Sequence, residues 1–111
     1  MTRLRFTEQE VKDVPAETGI FCLWYGRDLV YVGRTAPRSH LRAELEHALT
    51  MAMAEDMLAT TFSYEVTRLP QTRAAEELRS YFSGCGRLPK YNDPSARNDG
   101  GMRVPVHEMQ R

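Results

Sequence analysis

The chain has 111 residues, 41% of them hydrophobic, which suits one compact domain with a moderate core. Fifteen basic residues balance fifteen acidic ones, so the isolated domain lacks the excess positive charge that drives strong, sequence-independent binding to a polyanion. No apolar run is long enough to span a membrane and no signal-peptide pattern opens the chain, so a cytoplasmic protein without membrane partners is expected.

Two cysteines, Cys22 and Cys85, make no disulfide framework and fit a reducing compartment. His40, His47 and His107 have no thiol partners at zinc-binding spacing. The basic residues are almost all arginine, with only Lys12 and Lys90 as lysines. Arginine suits bidentate phosphate contacts, although a GC-rich genome produces the same bias.

Near the N-terminus, Thr7 and Glu10 form a capping box, and Phe6 and Val11 stand where a hydrophobic staple places them. A short helix over about residues 8–13 is expected, ended by Val14-Pro15. Two apolar runs follow, Ile20 to Trp24 and Leu29 to Val32, joined by Tyr25-Gly26-Arg27-Asp28. Their strand-forming residues and the short Gly-containing link predict a β-hairpin. Gly19 and Gly33 at its two ends mark places where the backbone turns tightly or another group comes close. Trp24 and Tyr25 belong to hairpin packing or, if exposed, to a surface on which bases can stack.

Ser39 to about Met57 reads as a helix, with Leu41, Leu45, Ala48, Leu49, Ala52 and Met53 on one stripe. Thr61 to Leu69 alternates as a half-buried strand and Pro70 ends it. Thr72 can cap a further helix carrying Ala74, Ala75, Leu78, Tyr81 and Phe82 on its apolar side, stopped by Gly84-Cys85-Gly86. Leu88 to Asn92 is extended, residues 93–111 form a polar tail, and Met102 to His107 can add an edge strand. The expected architecture is α/β (α+β): a small, mainly antiparallel three-stranded sheet flanked by helices. It forms one domain over residues 1–92, with its core at 15–92.

Gly19-Ile20-Phe21 and Tyr31-Val32-Gly33 resemble the two half-motifs of the GIY-YIG nucleases. Thr72-Arg73-Ala74-Ala75-Glu76-Glu77-Leu78 and Pro89-Lys90-Tyr91-Asn92 resemble the later parts of that pattern, in the same order. The resemblance covers roughly residues 15–92. It implies a metal-dependent endonuclease that hydrolyses DNA phosphodiester bonds with Mg²⁺ or Mn²⁺. In that reading Glu77 holds the metal, Arg42 steadies the scissile phosphate and Tyr31 assists the attacking water. Gly33, Arg34, Arg38, His40 and Asn92 stand on the substrate side, with Asn92 also suited to tying its loop to a strand.

Three choices within the pattern rest on geometry. Glu77 lies about 100° from the centre of its apolar stripe and Glu76 about 160°, so Glu77 is the carboxylate nearer a cleft. Pairing of Glu77 with Arg73 at i, i+4 is the alternative. Arg42 lies about 60° from the stripe of its helix and suits the family arginine better than Arg38, although an ion pair with Glu46 is equally available. Phe21 departs from the pattern, because it stands at the tyrosine position and has no hydroxyl with which to move a proton. His40 is a conceivable replacement base. That departure motivates a second reading, a catalytically weakened or inactive module that binds nucleic acid or a protein partner.

Overall fold

The computed structural model describes residues 2–93. The expected strand at Met102–His107 and the tail beyond Asp93 lie outside the described residues. The hairpin is the centre of the molecule. Strand β2 (Gly19–Tyr25) pairs antiparallel with β3 (Asp28–Arg34), and the register shifts once, between Leu23 and Trp24. Gly26 turns the tip at φ 60°, a left-handed conformation that costs a residue without Cβ little.

The sheet has four strands rather than the expected three. Strand β4 (Thr61–Val66) lies against the other side of β2, and β1 (Leu4–Arg5) pairs with β4 through Leu4 and Phe62. The order is β1-β4-β2-β3, and every neighbouring pair is antiparallel. Two residues are too few to display a strand period, so β1 leaves no local signal.

Helices cover both faces of this sheet. Leu41, Leu45, Ala48 and Ala52 of α2 (Leu41–Ala54) pack with Phe21, Leu23 and Tyr31 on one face. Ala74, Leu78 and Tyr81 of α3 (Pro70–Cys85) pack with Ile20, Cys22 and Val32 on the other. The period of two along β2 therefore sends alternate residues to different helices. Helix α1 (Glu8–Val11) opens as expected: the Thr7 side chain accepts a hydrogen bond from the Glu10 amide, and Phe6 and Val11 are both buried.

The helix boundaries differ from those expected, each for a local reason. Helix α2 starts at Leu41 because His40 is its cap, Nδ1 accepting from the Ala43 amide at 3.2 Å. It stops at Ala54, before the left-handed Asp56 at φ 55°. Strand β4 ends at Val66 instead of Leu69, where the Thr67 hydroxyl takes the Leu69 amide in a tight turn. Pro70 then opens α3, with Leu69 as its cap, so Thr72 lies inside the first turn and is not the cap. A fixed φ and a missing N–H make proline suited to that first position. Gly86 at φ 72° closes α3 as the glycines there suggest. No helix among the described residues is long and apolar enough to cross a membrane.

Candidate phosphate-binding cleft and the dispersed catalytic set

Phe21 and Tyr31 sit side by side on the α2 face, ring centroids 5.8 Å apart, with only 3% and 2% of their surfaces exposed. Gly33 lies opposite Phe21 in the neighbouring strand and is covered by its ring. These three positions of the half-motifs form hydrophobic core. Phe21 has no proton to exchange, and Tyr31 is almost closed to solvent.

Arg42 takes a contact that neither expectation included. Its Nε donates to the Val14 carbonyl at 2.8 Å, tying the segment before β2 onto α2, and no ion pair with Glu46 forms among the described residues. His40 is spent on capping, since an Nδ1 that accepts leaves Nε2 as the protonated nitrogen. His47 is exposed on the outer side of α2.

Glu77 is on α3, across the sheet from Phe21, Tyr31 and Arg42. Its neighbourhood is an arginine-centred cluster. Arg73 donates from Nε and Nη2 to both carboxylate oxygens of Glu65 at 2.8 Å and from Nη1 to Glu76 at 2.7 Å. Glu77 is a looser partner of the same guanidinium at 3.6 Å. The paired hydrogen bonds from Arg73 hold the Glu65 carboxyl below its ordinary range. Burial raises the Cys22 thiol to about 12, and the nearby Glu77 and Glu65 charges add to that shift. Glu77 is half exposed and Glu76 more so, as their helical positions imply.

A Mg²⁺ ion at Glu77 would compete with the Arg73 guanidinium, which stands 3.6 Å from the same carboxylate. No group of three or more His, Cys, Asp or Glu side chains able to hold a metal converges among the described residues. For Glu77 to serve as the single carboxylate of a divalent ion, its contact with Arg73 has to open.

The groups that do converge are basic. Arg34, Arg38 and Arg68 line a cleft of about 410 Å³ together with Thr18, Ser39 and the first turn of α3. Two segments deliver them, the end of β3 with its following loop and the turn after β4, and both are anchored, the second by the Thr67 amide donating to the Thr18 carbonyl at 3.0 Å. Thr35 is buried and exchanges hydrogen bonds with Gly19, its amide to the Gly19 carbonyl at 3.0 Å and its hydroxyl accepting the Gly19 amide at 3.2 Å. The Glu44 carboxylate accepts the Ala36 amide at 2.9 Å, and the Glu17 carbonyl accepts the Leu41 amide at 2.8 Å. Arg38 is held left-handed at φ 68°. The amide end of α3 adds its partial positive charge to the same space. Arg68 was not legible as a site residue, because only the turn at Thr67 to Pro70 brings it beside the loop after β3.

Asn92 holds the architecture together at the other side of β3. Its amide accepts the Val32 N–H at 2.8 Å and donates to the Val32 carbonyl at 3.0 Å, and the side chain is fully enclosed. Compared with family models, with curated proteins and with solved structures, the chain gives no match.

Proposed function

We propose that this chain binds the phosphodiester backbone of nucleic acid, DNA in the first place, through the Arg34, Arg38 and Arg68 cleft. In this reading it is a GIY-YIG-like module that grips its substrate without cutting it. The observation that carries the reading is a contrast: three arginines from two segments far apart in sequence, the end of β3 with its following loop and the turn after β4, share one cleft, while Phe21, Tyr31, Arg42 and Glu77 are divided between two faces of the sheet. Zero net charge leaves no general attraction for polyanions, so affinity must come from this local cluster and must be sensitive to salt.

The test is fluorescence anisotropy of labelled duplex and branched DNA over a series of NaCl concentrations. Each phosphate contact contributes about 0.9 to the slope of log affinity against log salt on duplex DNA. Arg38→Gln with Arg68→Gln should lower that slope by about 2 by the same relation. A slope unchanged in the double variant would remove the cleft from the binding surface.

A second reading, metal-dependent hydrolysis, is favoured by the half-exposed Glu77 and its long 3.6 Å contact with Arg73. It requires Arg73 to release Glu77. Plasmid nicking in Mn²⁺ that disappears in Glu77→Ala would establish it; silence in wild type and in Phe21→Tyr leaves the binding module.

A further inference from the structure

A second pocket lies at the opposite end of the hairpin from the arginine cleft, about 20 Å away by the length of a seven-residue strand. Its volume is about 430 Å³, within the size range of sites that enclose small ligands. Tyr25 comes from the hairpin tip, Tyr81 from α3, and Tyr91 from the segment that crosses the outer edge of β3. Leu29 and Val30 lie among these rings as apolar lining. Two exposed cations complete it: the Arg87 guanidinium lies 5.8 Å from the centre of the Tyr81 ring, and Lys90 Nζ 5.4 Å from that of Tyr91. The exposed Asp28 and the half-buried Asp93 contribute carboxylates to the lining.

We propose that this pocket takes an unpaired nucleotide, its base against the tyrosines and its phosphate on Arg87 and Lys90. The pocket's own composition selects that chemistry. Aromatic faces accept a flat ring of any base, whereas an aliphatic ligand gives the rings nothing to stack on and the two cations nothing beyond the lining carboxylates of Asp28 and Asp93. A bare phosphate or sugar phosphate satisfies the cations and leaves the aromatic wall unused. Asp28 can accept a hydrogen bond from an exocyclic amino group, which adenine, cytosine and guanine carry and thymine lacks. The floor is firm, because the Tyr91 hydroxyl accepts the Leu58 amide at 3.1 Å and the Tyr91 amide donates to the Val30 carbonyl at 2.8 Å. Tyr25, with 46% of its surface exposed, leaves ring surface at the pocket open to a ligand. The inference goes beyond the arginine cleft and stands without it.

The experiment is calorimetric titration of the full chain with adenosine 5′-monophosphate, ribose 5-phosphate, inorganic phosphate and a short unpaired oligodeoxyadenylate. Adenosine monophosphate should bind at least about tenfold more tightly than the two probes without a base, as expected for one stacked base. Tyr25→Ser, and separately Arg87→Gln with Lys90→Gln, should each weaken it by about tenfold. All three side chains are exposed, so the variants keep the fold, which circular dichroism verifies. An oligonucleotide that binds tighter than the mononucleotide identifies a nucleic-acid strand as the source; equal affinity identifies a free nucleotide. Inorganic phosphate binding as well as the nucleotide, no binding by any probe, or pocket variants indistinguishable from wild type would each overturn the proposal. The salt slope of duplex binding in Arg38→Gln with Arg68→Gln reads the cleft and the base dependence lost in Tyr25→Ser reads this pocket, so failure at the two places is distinguished.

Discussion

The ring of Phe21 lies over the Cα of Gly33, so that a methyl group at position 33 would meet Phe21 Cε1 at 2.7 Å. The glycine is required by that ring, since both residues are buried in one layer between β2 and β3. Gly33→Ala should destabilise the fold by about 1–3 kcal/mol through overpacking, outweighing the smaller gain from a stiffer unfolded chain. Phe21→Leu in the same background should restore part of the loss, and a double-mutant cycle from urea denaturation measures the coupling. Gly19 gives the contrasting case. A Cβ there would run into the Glu65 carbonyl of β4, and backbone cannot swing away, so no neighbouring side-chain truncation should rescue Gly19→Ala.

Asn92→Ala should cost about 2 kcal/mol, because it leaves the Val32 N–H and carbonyl at a sealed strand edge without partners. Asn92→Asp separates the two bonds. The carboxylate can still accept from Val32 N–H but faces the Val32 carbonyl with no proton. Burial and the facing Val32 carbonyl raise the folded pKa of such a group, so its stability should be greatest at low pH and fall as pH rises. Hydrogen exchange at the Val32 amide, alongside denaturation at several pH values, reads both effects.

The Glu65–Arg73 pair makes a pH-dependent contribution of known sign. Glu65 has a folded pKa below its ordinary 4.5, so the contribution is present above about that pH and is lost as pH falls through the lower folded value. Arg73→Gln should therefore lower the denaturation midpoint at neutral pH only modestly, as expected for a solvent-screened cluster. The gap between variant and wild type should narrow in acid.

Cys22 and Cys85 should behave as two different thiols. Cys22 is fully buried with its thiol held neutral to about 12, whereas Cys85 is exposed beyond the end of the α3 stripe. A disulfide reagent at pH 8 should titrate one thiol in the native protein and two after denaturation. Because the folded pKa of Cys22 lies above its unfolded value of 9.0, its contribution is intact below that pH and declines between about 9 and about 12. Cys22→Ser should remove this alkaline loss while adding the cost of a buried hydroxyl.

The hairpin, the cap at Thr7 and most of the apolar stripes of α2 and α3 were readable because each rests on a local period or a short-range hydrogen bond, although Met53, Ala75 and Phe82, expected on the stripes, are exposed. What was hidden depends on partners far along the chain. Strand β1 exists only because Thr61 and Phe62 offer it an edge. Arg42 has the right helical angle for a cleft, yet the Val14 carbonyl 28 residues earlier captures its Nε. The same limit applies to Glu77: a wheel shows that it flanks an apolar stripe, but not that the stripe packs on the face opposite Tyr31. Pro70 shows a different ambiguity, since the features that end a strand also begin a helix, and nothing local ranks the two.

The clamp between Val32 and Asn92 also imposes an order on synthesis. The strand carrying Val32 leaves the ribosome 60 residues before the side chain that seals its outer edge. During that interval the nascent chain carries an apolar strand with one row of open backbone groups, which is the form most prone to pair with a neighbouring chain. Shortening the protein to end before Pro89 would make that interval permanent. Such a truncation removes no helix and no strand among the described residues, and it should nevertheless make the protein prone to aggregate.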